Sequence, residues 1–193
     1  SEPEPTPKPA YSKNTVGYLT VPGVDVTDEP ILQHPTDDDY YLTHNEFDRE
    51  SIWGAYFVPS EWNVSNVDDM YRVTVIFGHG NGNSMHKKFS VLKYFRDVNF
   101  AKEHRYIYLT LGEQQTRWKI FAVADYPIDP SYTIANPDDS YFLTEIASMK
   151  AYSYNQYATE VGLNDKVLIL STCSGSDNYD TRFIVCAKLD EVF

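Results

Sequence analysis

Short runs of apolar and β-branched residues recur along the chain, and clusters of Gly, Pro, Asn and Asp separate them. This pattern is typical of strands joined by turns. It predicts nine strands, at residues 15–20, 30–33, 40–43, 52–57, 72–77, 105–111, 116–124, 167–171 and 181–189. Because many short strands with few helices favour a closed sheet, the pattern predicts a mainly β protein built on a barrel.

Two segments have instead the three-to-four-residue apolar spacing of an amphipathic helix. The apolar positions are Phe89, Leu92, Phe95 and Val98 within residues 87–98, and Phe142, Ile146 and Met149 within residues 138–151. Pro137 and Asp138 precede the second segment and are typical of a helix start. We therefore predict two helices that flank the barrel.

The composition fits one domain with an acidic surface. The chain has 193 residues, 42% of them hydrophobic, and a net charge of −12. Binding to nucleic acid needs a basic face, so no nucleic-acid partner is expected. Residues 1–14 begin with alternating Pro and polar residues, which predicts a linker ahead of a domain at residues 15–193. An N-terminal membrane anchor absent from this sequence is compatible with such a linker.

The two cysteines, Cys173 and Cys186, have different settings. Residues 167–171 and 181–189 predict a hairpin, in which Cys173 ends the first strand and lies opposite Thr181 or Arg182. Cys186 is about four residues further along, roughly 13 Å away at the rise of a strand. A disulfide needs Cα atoms within about 7 Å. We therefore predict two free thiols, with Cys186 a small buried apolar residue.

Cys173, His79 and Arg182 together suggest nucleophilic catalysis. His79 follows the predicted strand at residues 72–77 and lies in a glycine-rich loop, where it can reach another strand end. A thiol nucleophile needs a proton partner, usually His, and donors for the oxyanion. Arg182 opens the strand after the cysteine loop and supplies several N–H donors. The other histidines and cysteines lack zinc-ligand spacing, so neither a metal nor another cofactor is expected.

Several segments resemble the class B sortases, cysteine transpeptidases of the Gram-positive cell surface. The cysteine segment is LSTC, followed by a loop, an Arg and an apolar strand. The other similar segments are IFGHGNGNSMHKKFSVLKYF, YYLTHNEFDRESIWGAYF, YIYLTLGEQQTRWKIFAVADY and FLTEIASMKAYSYNQYATEVGLNDKVLILSTC. The resemblance covers roughly residues 16–189. It implies an eight-stranded barrel with flanking helices, one of them in the long insert before the cysteine strand.

The resemblance also implies a function. A class B sortase cleaves a C-terminal sorting motif of a surface protein after Thr and forms a thioester on its cysteine. An amine of the cell wall, usually a peptidoglycan cross-bridge, then resolves the thioester; in pilus-building members the amine is a pilin lysine. Such enzymes are anchored by an N-terminal segment at the extracellular face of the cell membrane. These partners and this location are the expectations for the present chain.

Carried over residue by residue, the resemblance assigns Cys173 as nucleophile, His79 as proton partner and Arg182 as oxyanion and substrate-backbone donor. It further assigns Ser171, Tyr132 and Asn45 to substrate binding. One departure is that Ser174 and Gly175 stand where several class B members have an acidic residue. The sequence therefore offers no evident acidic group to orient the imidazole of His79.

Three functions of different classes stay open from the sequence. The first is the transpeptidase, including a form that polymerises pilins. The second is a hydrolytic cysteine protease with the same nucleophile, and the third is a catalytically silent adhesive barrel. The joint presence of Cys173, His79 and Arg182 disfavours the third.

Overall fold

The computed structural model describes residues 9–80, 87–128, 130–172 and 180–193. The strands are β1 Thr15–Val21, β2 Val26–Leu32, β3 Tyr56–Phe57, β4 Val73–Gly78, β5 Tyr106–Leu111, β6 Gln114–Pro127, β7 Val167–Thr172 and β8 Thr181–Val192. They close into a barrel in the order β1-β2-β3-β4-β7-β8-β6-β5. The predicted eight-stranded barrel is therefore confirmed. Two of the neighbouring pairs, β2–β3 and β4–β7, are parallel.

The helices lie around this barrel. Three 3-10 helices span Tyr40–Leu42, Lys88–Arg96 and Pro130–Thr133, and two α-helices span α1 Val98–Glu103 and α2 Asp139–Tyr152. Asp138 caps α2 by accepting a hydrogen bond from the backbone N–H of Tyr141. The buried residues of α2 are Phe142, Ile146 and Met149, as the apolar spacing predicts. The helix in the insert before the cysteine strand is thus confirmed.

Strand β7 lies between two apolar clusters and is buried along its whole length. Leu168 and Leu170 belong to the cluster inside the barrel. Val167 and Ile169 belong to a second cluster, which also contains the buried face of α2. Because successive side chains of a strand point to opposite faces, a strand covered on both sides is apolar at every position. This explains the unbroken apolar run that leads to the cysteine segment.

Of the predicted strands, the one at residues 40–43 is wrong and the one at residues 52–57 is too long. Residues 40–43 form a 3-10 helix at Tyr40–Leu42, although Tyr, Leu and Thr favour strands. The side chain of Tyr41 is buried against the barrel, and this tertiary packing overrides the local preference. Within residues 52–57 only Tyr56–Phe57 is strand, and the residues before it form a turn.

The predicted helix at residues 87–98 is also different in the structure. It is a 3-10 helix that ends at Arg96, and α1 begins separately at Val98. The side chain of Asp97 accepts hydrogen bonds from the backbone N–H groups of Asn99 and Phe100, which starts the new helix. Val98, predicted to be buried, is 49% exposed.

The chain is already packed before β1. The backbone N–H of Ser12 donates to the carbonyl of Glu46 at 2.8 Å, and Asn14 Nδ2 donates to Tyr41 Oη at 2.9 Å. The division between linker and domain at residue 14 stays a prediction. Within the described ranges, no helix is long and apolar enough to cross a membrane.

Candidate active site

Two strands that are far apart in sequence end side by side at one rim of the barrel. β4 and β7 pair in parallel over six residues, from Val73 opposite Val167 to Gly78 opposite Thr172. His79 is the residue after Gly78, and Cys173 is the residue after Thr172 in the sequence. Cys173 itself lies outside the described residues. The structure therefore fixes the strand end that leads to the predicted nucleophile.

The start of β8 lies at the same rim. The backbone N–H of Phe183 donates to Thr172 Oγ1 at 3.0 Å, and Ile184 pairs with Ser171. Arg182, the residue before Phe183, is half-buried and pairs with Tyr126 of β6. Its Nη1 donates to the carbonyl of Thr181 at 3.2 Å. A guanidinium is thus held next to the end of the cysteine strand.

The imidazole of His79 is oriented by a backbone carbonyl. His79 Nε2 lies 2.8 Å from the carbonyl oxygen of Leu42. Because a carbonyl oxygen only accepts, Nε2 carries the proton in this contact and Nδ1 is the nitrogen that can exchange one. The carbonyl of His79 accepts a hydrogen bond from the N–H of Phe89 at 2.8 Å. Both the ring and the backbone of His79 are therefore tied to neighbouring segments.

Gly54 lets the chain pass close to His79. Its φ is +58°, in the left-handed region, and its N–H donates to the carbonyl of Ser51. A Cβ at this position would lie 2.2 Å from the carbonyl oxygen of Tyr41 and 3.1 Å from His79 Cδ2. Only glycine fits there without displacing the helix Tyr40–Leu42, whose last carbonyl holds the imidazole.

Replacing Gly54 with Ala is expected to impair both stability and catalysis. We expect the free energy of unfolding to fall by about 1–3 kcal/mol, since the backbone is strained and Tyr41 must move. A displacement of His79 near 1 Å should also lower kcat/KM for a sorting-type peptide by about 10- to 100-fold. Urea denaturation and peptide-cleavage assays measure the two effects.

The matched control is Gly112→Ala. Gly112 has a similar φ of +57°, but a Cβ there would meet its nearest atom only at 3.9 Å. This variant should lose stability from backbone strain and keep kcat/KM. If Gly54→Ala retained full kcat/KM, Gly54 would have no part in positioning His79.

The predicted substrate-binding residues Ser171 and Tyr132 contact each other. Tyr132 Oη and Ser171 Oγ lie 3.1 Å apart, and Ser171 is 0% exposed. Tyr132 also packs edge-on against Tyr126, with ring centroids 5.9 Å apart. The pair forms a buried wall beneath the rim, and a substrate role for either residue stays a prediction.

Asn45 organises a turn. Its Oδ1 accepts hydrogen bonds from the backbone N–H groups of Phe47 and Arg49, at 3.0 and 3.1 Å. The turn follows the helix that carries Leu42, so Asn45 shares a loop with the group that holds His79. Its predicted contact with substrate stays a prediction.

Cys186 is buried in the cluster between the barrel and α2, as predicted. It pairs with Ile169, two residues along β7 from Ser171. Burial raises the pKa of the Cys186 thiol above its usual range. Since the thiolate is the reactive form, Cys186 is unsuited to nucleophilic chemistry.

Tyr126 connects the rim to α2. Its Oη donates to Ser148 Oγ at 2.8 Å and lies 3.2 Å from a Glu145 carboxylate oxygen. Burial is the main cause that raises the pKa of Tyr126 to about 12. A neutral phenol therefore stands opposite Arg182, and it fixes this part of β6 against the helix.

Solved structures of known function share this architecture. Neither a protein-family profile nor a curated protein sequence matches the chain. The sortase B of Listeria monocytogenes superposes with a TM-score of 0.78 at 27% identity, over 92% of this chain and 95% of that one. The sortase B of Clostridium perfringens gives a TM-score of 0.80 at 24% identity, over 92% and 94%. The fold is that of a class B sortase.

A class B sortase in complex with substrate is also similar. The Staphylococcus aureus sortase B–substrate complex has a TM-score of 0.81 at 20% identity, and the match covers 94% of this chain and 82% of that one. The likeness of the sequence segments to class B sortases is thereby confirmed in three dimensions.

The sequence did not reveal two elements of this candidate site, the Leu42 carbonyl and Gly54. A backbone carbonyl has no signature in the sequence. The only available indication for Gly54 was its position inside a predicted strand, where an isolated glycine often marks a close approach of two backbones.

Proposed function

We propose that the protein is a sortase transpeptidase that cleaves a sorting-motif peptide after Thr and transfers the acyl group to a cell-wall amine. The observation that carries the proposal is the parallel register of β4 and β7, with Gly78 opposite Thr172. This register brings the strand ends before His79 and Cys173 together. Arg182 follows at the same rim, on the strand paired with β7.

The first half of the reaction forms a thioester. Nδ1 of His79 takes the proton of the Cys173 thiol, the resulting thiolate attacks the carbonyl carbon of the substrate Thr, and the electron pair of the C=O bond moves to the oxygen. Arg182 stabilises this oxyanion with its N–H donors. The tetrahedral intermediate collapses, the C–N bond breaks, and Nδ1 of His79 gives its proton to the leaving amine. The products are an acyl-enzyme and the C-terminal part of the sorting peptide.

The second half of the reaction reverses these roles. An acceptor amine attacks the thioester, Nδ1 of His79 takes the proton released from the attacking nitrogen, and the Cys173 thiolate leaves. The carbonyl of Leu42 holds Nε2–H throughout, so proton exchange takes place at Nδ1. This contact supplies the orientation that an acidic residue provides in many cysteine hydrolases, and it adds no negative charge.

We assign substrate recognition to the rim of the barrel where β4 and β7 end and β8 begins. We place the Thr side of the sorting motif near Ser171 and Tyr132, and the loop of Asn45 beside the histidine. The likeness to a sortase B complexed with triglycine supports an amine acceptor, since that structure contains a short oligoglycine. In the cell the enzyme would act at the extracellular face of the membrane, held there by an N-terminal anchor.

An acceptor experiment separates a transpeptidase from a protease. A sorting-type peptide is incubated with the protein, with and without triglycine, a diaminopimelate-containing peptide or a lysine-containing pilin peptide. Mass spectrometry follows the hydrolysis product, the new amide and the acyl-enzyme. We expect an acyl-enzyme that water resolves slowly, and a new amide when the correct amine is present, because an amine is a better nucleophile than water.

Each possible result of the acceptor experiment supports a different one of the candidate functions. Amide formation with the glycine or diaminopimelate acceptor supports wall anchoring, and amide formation with lysine alone would identify a pilin-polymerising enzyme. Fast hydrolysis that no amine diverts would make the protein a protease. Absence of cleavage for every Thr-containing peptide of a library would favour the silent barrel.

A further inference from the structure

A cavity at the surface of the protein, here called the cationic cavity, is lined on one side by three basic residues. Its volume is about 480 Å³, and its basic residues are Lys102, Arg105 and Lys119. Lys119 lies seven residues before Tyr126 on β6, which corresponds to roughly 23 Å at the rise of a strand. The volume falls within the usual range for small-molecule sites. The cationic side of the cavity therefore lies toward the opposite end of β6 from Tyr126, which pairs with Arg182.

The cations of this cavity have no carboxylate partner among the residues that the structure describes. Within the described residues, no ion pair involves Lys102, Arg105 or Lys119, and no carboxylate lines the cavity. Six other basic side chains are paired with carboxylates, namely Arg72, Lys88, Arg96, Arg117, Lys150 and Lys188. In a chain of net charge −12, three unpaired cations around one cavity are a local reversal of the surface charge.

The backbone places these cations together. The N–H of Ile120 donates to the carbonyl of Arg105 at 2.9 Å, which joins Arg105 to the residue after Lys119. Arg105 Nε donates to the carbonyl of Lys102 at 3.1 Å, and this bond turns the guanidinium toward the end of α1. The Nη groups of Arg105 are the donors left for a ligand. Three cations therefore meet where α1 runs into β5.

The opposite wall is rigidly attached to the barrel. The N–H of Tyr154 donates to the carbonyl of Val123 at 2.8 Å, and Asn155 Nδ2 donates to the carbonyl of Phe95 at 2.8 Å. Val98, Ala158 and the ring of Tyr157 add apolar surface to the lining. The cavity thus combines a cationic side with an apolar side, both supported by the fold.

We infer that this cavity binds an organic phosphate, with the phosphate group among Lys102, Arg105 and Lys119 and an apolar body against Val98, Ala158 and Tyr157. A phosphate monoester carries a charge of about −1.5 to −2 at pH 7 and three acceptor oxygens. It can therefore engage two ammonium groups and the paired Nη donors of an arginine together. A carboxylate has one charge and two oxygens, so it would leave two of the three cations uncompensated, where a doubly charged phosphate leaves one.

The inference is tested by binding of phenyl phosphate, followed by isothermal titration calorimetry and by amide chemical shifts. We expect saturable binding at one site, with shifts at Ile120 and Tyr157. Benzoate and inorganic phosphate should bind more weakly, because the first lacks the second charge and the second lacks the apolar body. Benzoate binding as tight as that of phenyl phosphate would overturn the assignment to phosphates.

Charge-removing variants locate the site. Lys119→Gln and Arg105→Gln should each raise the Kd for phenyl phosphate about tenfold, the loss expected for one charge-assisted contact. Lys150→Gln is the matched control, since Lys150 is paired with Glu160 and does not line the cavity. Equal weakening in the control, or an unchanged Kd in the two cavity variants, would overturn the inference.

Circular dichroism verifies the fold of each variant. Because the readout is binding, the result does not depend on whether the protein is a transpeptidase.

Discussion

Replacing Cys173 with Ala is expected to abolish cleavage and transfer of a sorting-type peptide. Without the thiol no acyl-enzyme forms, and loss of the nucleophile in a covalent mechanism typically costs about 10⁴-fold or more in kcat. The free energy of unfolding should stay within about 1 kcal/mol of the wild type, because the substitution removes only a single sulfur atom from the side chain. Single-turnover assays and urea denaturation measure the two quantities.

The second cysteine provides an internal control for this prediction. A methanethiosulfonate reagent should label Cys173 in the folded protein and leave Cys186 unmodified, because Cys186 is 0% exposed and burial raises the pKa of its thiol. The Cys186→Ala variant should label like the wild type and keep its activity. Comparable labelling of both thiols in native buffer, or cleavage by the Cys173→Ala variant, would contradict the assignment of the nucleophile.

Replacing Arg182 with Lys should lower kcat/KM by about 100-fold or more, the loss seen when one oxyanion donor is removed from an acyl-transfer enzyme. Lysine keeps the charge but lacks the planar fork, so it cannot present two N–H groups toward one oxygen-bearing group. Arg182 stands one residue from Phe183, whose N–H is bonded to Thr172 at the end of the cysteine strand. The guanidinium is therefore well placed to act on the same carbonyl as the thiol.

Arg72→Lys is the matched control for the arginine prediction. Arg72 precedes β4 at the opposite end from Gly78 and binds Asp139 and the carbonyl of Leu163. Its replacement should reduce stability and leave kcat/KM unchanged. Turnover close to wild type in Arg182→Lys would assign Arg182 a structural role only. A loss confined to KM would instead mean that Arg182 binds the substrate backbone without stabilising the oxyanion.

The local residue pattern predicted most of the helices and strands, but not the residues at which they begin and end. Residues 167–171 and 181–189 contain apolar runs long enough to be strands in almost any context, and both are strands in the structure. β6 and β8 extend further than predicted, to Pro127 and Val192, because their long antiparallel pairing also includes polar residues such as Asp125 and Glu191. Hydrogen bonding to a neighbour, rather than apolar content, sets the ends of these strands.

The segment Tyr40–Leu42 shows why the local residue pattern did not predict the structure around the candidate active site. Its residue types favour a strand, yet Tyr41 packs with Leu32, Ala55 and Phe57, and Tyr40 stacks on His44 with ring centroids 4.0 Å apart. These contacts come from segments that are distant in sequence or beyond the helix. The resulting 3-10 helix presents the carbonyl that orients His79, so the error in secondary structure concealed a part of the candidate active site.

The sequence by itself determined the barrel, the helix before the cysteine strand, the buried state of Cys186 and the three residues proposed for catalysis. These follow from apolar periodicity, from residue chemistry and from the likeness of the segments to class B sortases. Tertiary structure alone decided the parallel pairing of β4 with β7, the Leu42 carbonyl on His79 and the place of three cations around the cationic cavity. Each of these depends on backbone groups or side chains that are brought together across long stretches of chain. The hydrogen-bond register and the balance of charge between such groups exist only once the barrel has closed.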